Sequence, residues 1–420
     1  VTEVKLLQLT DTHLFAETSG RLRGVVTERS LRRIVDAADA QGPWDAVVVT
    51  GDLSQDHSEA SYRLLHDQLE RLGAPHHVVP GNHDDHTTMA EVFPRSSVTG
   101  FQHRFKVGGW QVVVLDSSVS GITAGRLEEA QLGWLDAQLT SHGAHPSVVF
   151  LHHPPLPTGT AWMDEVGLLE PQGFLKVIET HPQVQAVAWG HVHYADHIRE
   201  RQRDWFPTPS TGPQFRPGTE NPACDQALPG YRWFRLADDG TFQTGVERVH
   251  PWLDRVHSGG QTGVDRAALD VAAEIGLTRG GWCPHGRWAE DGPIAATYTL
   301  TETPEADTAQ RTHWNVRDSD ATLVLTAGEA TGGTALTLES AQAQGKPLFR
   351  NDLKEAIDYP AFERWLRETE VRCLHIAGPR ERPEHPVYAA ACERLRALLT
   401  GVDVDGNPLA SQAETEAPPM

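Results

Sequence analysis

Along the first 195 residues, short runs of β-branched residues alternate with stretches whose apolar positions recur every three or four residues. Lys5 to Leu9, Ala46 to Val49, His77 to Val79, Val112 to Leu115, Ser147 to Leu151 and Val184 to Trp189 read as strands. Between them, Glu28 to Ala40 places Leu31, Ile34, Val35 and Ala38 on one helical stripe. Ser58 to Leu72 does the same with Tyr62, Leu65, Leu69 and Leu72, and Gly73 follows as a stop signal. Glu128 to Leu139 reads as a third helix. The alternation predicts an α/β fold.

Five of these apolar runs end in polar residues of one kind. They finish in Asp11-x-His13, Gly51-Asp52, Gly81-Asn82-His83-Asp84, His152-His153-Pro154-Pro155 and Gly190-His191-x-His193. Any one of them can be a surface loop, but five in register at strand ends predict a shared site, because ligands collect there in α/β sheets. In an extended segment residues i and i+2 point the same way, so Asp11 and His13 can share a metal while Thr12 faces away. Carboxylate, amide and imidazole donors suit Mn, Fe, Zn or Co rather than a Cys-rich structural zinc site. The donors suffice for two ions, which at about 3.5–4 Å apart form the usual clamp for phosphoryl displacement. His57, His76, His77, His86 and His103 have no partner spacing and read as solvated surface histidines. His153 fits either a supporting position or none, and Trp162 either a pocket wall or the core.

Composition narrows the function. A length of 420 residues predicts two or three domains. The formal net charge of −21 argues against nucleic acid or an anionic membrane as partner. A small anionic substrate stays compatible, since bound cations invert the local field. Cys224, Cys283, Cys373 and Cys392 form no C-x-x-C pair, which fits a reducing cytoplasm. No apolar run approaches the ~18–20 residues of a membrane span. The chain enters a strand at once, leaving no room for a signal peptide. A cytoplasmic protein is expected.

After a short linker at His250 to Asp254, Arg255-Val256-His257 runs into Ser258-Gly259-Gly260-Gln261-Thr262-Gly263-Val264-Asp265 and a helix from Arg266 to Ile275. A strand, a glycine-rich turn and a helix N-terminus can cradle an anion. A plain tight turn fits as well, and neither the dinucleotide nor the P-loop fingerprint is met. Ala321 to Leu325 repeats the arrangement, leading through Gly332-Gly333-Thr334 into a helix from Ala335 to Gln344. Cys283 reads as a buried packing residue or, alternatively, a soft ligand or redox thiol. Tyr388 to Leu399 is the last helix, and the polar stretch from 402 to 420 reads as a disordered tail.

Taken together, the five strand-end motifs resemble the calcineurin-like metallophosphoesterase superfamily. Thr10-Asp11-Thr12-His13-Leu14-Phe15-Ala16, Thr208-Pro209-Ser210-Thr211, Gln214-Phe215 and Pro229-Gly230-Tyr231-Arg232 are similar to its class III cyclic-nucleotide branch, the bacterial cyclic-AMP phosphodiesterases. Val26 stands where that branch often has Asn. The resemblance covers residues 1–249 and implies a four-layer αββα sandwich. It also implies that Asp11, His13 and His193 hold one metal, Asn82, His152 and His191 a second, and that Asp52 bridges both. His83 would then face the phosphate as transition-state stabiliser or proton donor. Asp84 would orient His83 or a metal-held water, and a metal-bridging hydroxide would be the nucleophile. The implied substrate is a phosphodiester, with 3′,5′-cyclic AMP foremost and a glycerophosphodiester or nucleotide-type cofactor as alternatives.

Gly259 to Asp270, Ala289-Glu290-Asp291-Gly292-Pro293-Ile294, Asn315-Val316, Asp318-Ser319-Asp320 and Gly332-Gly333-Thr334 make residues 254–400 similar to the molybdenum carrier family of the YpsA-like Rossmann group. That resemblance implies a Rossmann-like doubly wound α/β domain. It would bind a phosphorylated pterin such as molybdenum cofactor, or a nucleotide, through Gly259, Gly260, Gln261, Thr262, Gly263, Asp265, Gly332, Gly333 and Thr334. A second reading makes the chain a molybdenum-cofactor carrier with a regulatory phosphoesterase domain. The full set of seven implied metal ligands argues against an inactive first domain.

Overall fold

The computed structural model describes residues 3–93, 101–143, 145–200 and 202–409. The chain divides into two compact units. One runs to Asp225 and resumes over Pro229–Glu247; the other consists, among the described residues, of Gln226–Leu228 and 248–409.

The first unit contains strands β1 (Glu3–Leu9), β2 (Ala46–Thr50), β3 (His76–Val79), β4 (His103–Val107), β5 (Trp110–Val114), β6 (Ser147–Leu151), β7 (Val184–Trp189), β8 (Ile198–Glu200), β9 (Arg203–Pro207), β10 (Gly230–Ala237) and β11 (Phe242–Arg248). Its longer helices are α1 (Thr27–Gln41), α2 (Glu59–Glu70), α3 (His86–Val92), α4 (Glu129–Ser141) and α5 (Gln172–Thr180). The strands form two sheets, ordered β11-β10-β1-β2-β3 and β8-β9-β7-β6-β5-β4. β1, β2 and β3 run parallel, as do β5, β6, β7 and β9. Covered on both faces, such strands are apolar throughout rather than alternating. This is why all five residues of β2, and of β6, are buried.

Alternate residues of the second sheet serve different layers. Val149 and Leu151 of β6 and Val187 and Trp189 of β7 join Leu135, Leu139, Phe174 and Ile178 of α4 and α5 in one cluster. Phe150 points the other way and meets Phe234 of β10 edge-on, with ring centroids 5.7 Å apart. The two sheets therefore pack face to face, and the strand ends gather from both of them rather than from one doubly wound sheet.

In the second unit β12 (Arg255–His257), β13 (Thr278–Gly280), β14 (Ala321–Thr326), β15 (Leu348–Asp352) and β16 (Cys373–Ala377) form a sheet ordered β13-β12-β16-β14-β15, parallel throughout. Helices α6 (Val264–Glu274), α7 (Thr308–Arg317), α8 (Gly332–Ala343), α9 (Tyr359–Thr369) and α10 (Tyr388–Thr400) accompany it. Val256, Leu323, Leu374 and Ile376 from the sheet pack with Ala268, Val271, Phe362 and Leu395. α8 starts three residues before the expected Ala335, so Gly332, Gly333 and Thr334 are its first turn.

The expected tail is ordered at its start. Val402 is buried, and Asp403 and Leu409 donate backbone N–H groups to Asn407 and Gly401. The rest of that expected tail, 410–420, lies outside the described residues. Among the described residues no helix is long and apolar enough to cross a membrane.

Candidate metal centre

All seven residues expected to hold metal converge at the ends of β1, β2, β3, β6 and β7. They form two groups on either side of Asp52. On one side His13 Nε2 lies 3.6 Å from Asp52 Oδ2 and 3.2 Å from His193 Nε2, and His193 Nε2 is 3.3 Å from Asp11 Oδ1. On the other, His152 Nε2 lies 3.4 Å from Asp52 Oδ1 and 3.2 Å from Asn82 Oδ1. His191 Nδ1 is 3.0 Å from that amide oxygen and 3.2 Å from His152 Nε2.

The outward nitrogens fix which atoms face inward. His152 Nδ1 donates to the Thr50 carbonyl at 2.7 Å and His193 Nδ1 to the Pro213 carbonyl at 2.9 Å. A carbonyl only accepts, so each of these rings carries a proton on its outward Nδ1 and turns Nε2 inward. His13 Nδ1 pairs likewise with Gln55 Oε1 at 2.7 Å. Imidazole nitrogens, carboxylates and an amide oxygen thus crowd together at about hydrogen-bond distance, the arrangement of a ligand set. A divalent cation in each group reconciles them, and the donor set fits borderline ions. Burial, first of all, holds His13 down to about 3, the neutral form a ligand needs. Burial also opposes charge on His152, yet Asp52 and then Asp11 carry it up to about 9. Two buried carboxylates demand positive charge here.

The backbone reaches this geometry by an unexpected route. β1 stops at Leu9, and Asp11 and His13 sit at φ of 54° and 44°, not in an extended segment. Asp52, His191 and His193 are left-handed too, at φ of 53°, 67° and 53°. Asp11 and His13 still converge, but through two left-handed residues rather than through strand alternation. Such conformations cost about 1–2 kcal/mol outside glycine, and persist at functional sites where the surroundings over-determine them. Here Thr10 Oγ1 donates to Asp11 Oδ2 at 2.7 Å, the His191 N–H to both Asp11 oxygens at 3.0 Å, and Ser210 Oγ to the Asp11 carbonyl at 2.8 Å. Gly81 and Gly190 are required by proximity: a Cβ would overlap Asp52 Oδ1 at the first and Thr10 Oγ1 at the second.

His83 is less buried than six of the seven, and its ring lies edge-on to His13 with centroids 5.0 Å apart. Its backbone N–H donates to Asp52 Oδ1 at 2.9 Å. Asp84 does not reach the His83 ring. Its carboxylate accepts from the backbone of Leu53, Ser54 and Gly81 and from Tyr62 Oη. It thereby ties the Asp52 loop to the Asn82 loop.

His153 is fully buried beside His152 and His191, but both its nitrogens are engaged. Nδ1 pairs with Ser117 Oγ at 2.9 Å and Nε2 with the Thr123 carbonyl at 3.0 Å. One ligand atom of His153 also lies within 4.8 Å of those of His152 and His191. Phe215 stacks on His193 at 4.5 Å and in turn meets Trp162. His77 and His103, expected to be solvated singly, are half-buried and paired, with Nδ1 and Nε2 2.8 Å apart across the edges of the two sheets. Gln55, Thr10 and Tyr62 went unsuspected, because their contacts come from segments remote in sequence or from ordinary loop residues.

In the second unit, Gln261, Asp265, Gly332, Gly333 and Thr334 line a cavity of about 400 Å³ together with Arg311, Trp288 and Arg380. Thr262 and Gly263 line a neighbouring cleft instead. Gly259 and Gly260 line neither; a Cβ on Gly259 would overlap Arg311 Nη1, and one on Gly260 would press on Leu300. Arg311 Nη1 donates to Asp265 Oδ2 at 3.1 Å, while its Nε is buried without a hydrogen-bond partner. Cys283 is fully buried and burial raises its pKa, which fits packing rather than redox chemistry.

Two mixed sheets facing each other, with Asp52 between two His-rich donor groups, define a metallophosphoesterase. The chain belongs to the calcineurin-like phosphoesterase family, whose model matches residues 4–195, and members of that family use divalent metals. Residues 256–399 match the circularly permutated YpsA SLOG family. Among curated proteins, the 3′,5′-cyclic adenosine monophosphate phosphodiesterase of Pseudomonas aeruginosa is 39% identical over 247 residues, covering 59% of this chain and 90% of the relative. The enzyme of the same name from Escherichia coli K12 is 36% identical over the same shares. Among solved structures, a protein described as a molybdenum carrier from Syntrophus aciditrophicus is 40% identical, with a TM-score of 0.34, covering 35% of this chain and 96% of that one.

Proposed function

We propose that this chain is a two-metal phosphodiesterase that opens the ring of 3′,5′-cyclic AMP. The observation that carries the reading is Asp52, whose two carboxylate oxygens face two separate donor groups at 3.4 and 3.6 Å. Relatives that act on cyclic AMP span the same residues. Asp11, His13 and His193 would hold one ion, Asn82, His152 and His191 the other, with Asp52 shared. Bound divalent cations supply Lewis-acid polarisation of the phosphate and acidify a water at neutral pH.

The remaining chemistry belongs to the side chains. His83, at the more open edge beside His13, stabilises charge on the phosphate or protonates the leaving 3′ oxygen. Asp84 keeps the loops that bear Asp52 and Asn82 in register. Mn, Fe, Zn and Co all suit the donors. Four free thiols, three of them buried, suit the cytoplasm. The test is hydrolysis by the purified full chain with Mn²⁺, comparing cyclic AMP with bis-p-nitrophenyl phosphate. Turnover of the generic diester alone would exclude the cyclic nucleotide as substrate.

Residues 254–400 would form a separate domain from 1–249, binding a phosphorylated pterin or nucleotide in the 400 Å³ cavity. The first turn of α8 offers uncapped N–H groups to a phosphate, and Arg311 lines the same cavity. Mass spectrometry of ligands carried through purification tests this.

A further inference from the structure

A third cluster of metal-type side chains lies outside the centre described above. His66 and Glu70 are four residues apart on α2 and so share one face, and His76 opens β3 just after the turn that follows. One ligand atom from each of the three lies within 4.8 Å of the others. His76 Nδ1 is 3.7 Å from Glu70 Oε1, and the imidazole rings of His66 and His76 stand edge to face at 5.5 Å. Phe93 packs against both rings, at 5.8 and 6.2 Å, and restricts how they can turn. Asp67 Oδ1 stands 3.7 Å from His66 Nδ1, adding a second negative charge beside the cluster.

We propose that His66, Glu70 and His76 form a mononuclear site for a borderline divalent cation, zinc in the first instance. Two imidazoles and one carboxylate with open positions is a recurring zinc donor set. It favours zinc over manganese, which prefers oxygen donors. None of the three residues belongs to the Asp52 centre. The bound ion would join α2 to β3, and β3 leads directly into Gly81-Asn82-His83. α2 also carries Tyr62, which holds Asp84. The ion would therefore stiffen the support of the Asn82 loop without touching substrate.

The experiment uses the full chain, stripped of metal and dialysed against micromolar zinc in excess manganese, with metal content read by mass spectrometry. The wild type is expected to retain one zinc per chain more than His66→Ala, with Glu70→Gln binding that ion at least tenfold more weakly. Phosphodiester hydrolysis by both variants is expected within twofold of wild type. Because the readout is zinc stoichiometry, it stands or falls separately from the cyclic-AMP reading. Equal zinc in wild type and His66→Ala overturns the site. Loss of more than one ion from His66→Ala also overturns it, since the cluster would then not be independent of the Asp52 centre.

Discussion

Both carboxylate oxygens of Asp84 accept the single backbone N–H of Leu53, at 3.0 and 3.1 Å. The same carboxylate takes Ser54 N–H at 3.0 Å, Gly81 N–H at 2.8 Å and Tyr62 Oη at 3.1 Å. One side chain thus satisfies the backbone of two loops that each present a ligand. Asp84→Ala leaves those donors without an acceptor, at about 1–3 kcal/mol for each that stays buried. Calorimetry is expected to show a Tm lower by several degrees, with reduced metal content alongside. A variant of normal Tm and full metal content but slow turnover would instead give Asp84 a direct part in the chemistry.

Asn82 and His83 are neighbours with different expected losses. Asn82 Oδ1 sits among His152 and His191, so Asn82→Ala is expected to lower occupancy of that metal position. His83→Ala is expected to keep two ions and to lower kcat by about 10²–10³, the range for losing one group that stabilises developing charge. Metal analysis beside steady-state kinetics separates them, and equal metal loss in both variants contradicts the division.

Gln55→Ala removes the acceptor from His13 Nδ1, freeing the ring to turn or change tautomer. Loss of such a partner typically costs 10–100-fold in metal affinity. Competition with a chelator is expected to show one weakened ion and one unchanged, because His152 is held by a backbone carbonyl that substitution does not remove.

His375 supplies a pH dependence away from the metals. Burial, then Arg311 and His257, hold its pKa down to about 3, and its Nε2 has no hydrogen-bond partner. The unfolded chain binds this proton from about pH 6.5 downward while the folded chain does not. Stability is therefore full above pH 6.5 and falls by about 1.4 kcal/mol per pH unit toward pH 3. His375→Gln is expected to reduce the Tm loss between pH 7 and pH 5, seen by calorimetry. An unchanged difference would show that His375 does not govern it.

Gly259 lies beneath Arg311, where a Cβ would displace the guanidinium from Asp265. Gly259→Ala is expected to abolish any thermal shift that nucleotides or pterin phosphates give the second unit, while cyclic-AMP hydrolysis stays as in wild type. A preserved shift would place the ligand away from Arg311.

The parts of this molecule that depend on neighbours in sequence were legible in it. Strand runs such as Val47-Val48-Val49 and the helical stripe of Leu31, Ile34, Val35 and Ala38 are local patterns, and the ligands follow strands at fixed offsets. What depends on distant contacts was not legible. Gln55 looks like any loop residue until His13 is beside it, and His77 finds His103 only when the sheet edges meet. The left-handed turns at Asp11 and His13 were hidden for another reason: Asp and His favour positive φ only weakly, far less than Gly does. In the second unit the glycines of the two turns look alike in sequence, yet Gly259 is set against an arginine and Gly332 opens a helix.

Five of the residues that surround the proposed ions occupy a backbone region where glycine would sit at ease. Glycine would ease the backbone at Asp11, His13, Asp52, His191 and His193, at the cost of the buried hydrogen bonds that the Asp11 and Asp52 carboxylates accept. The side chains that stand there instead carry a backbone cost of about 1–2 kcal/mol each, offset by the contacts they make. Glycine variants at these positions would be expected to lose the metals and yet relax the main chain. Such a divergence would measure, in one protein, what keeping a working centre costs a fold.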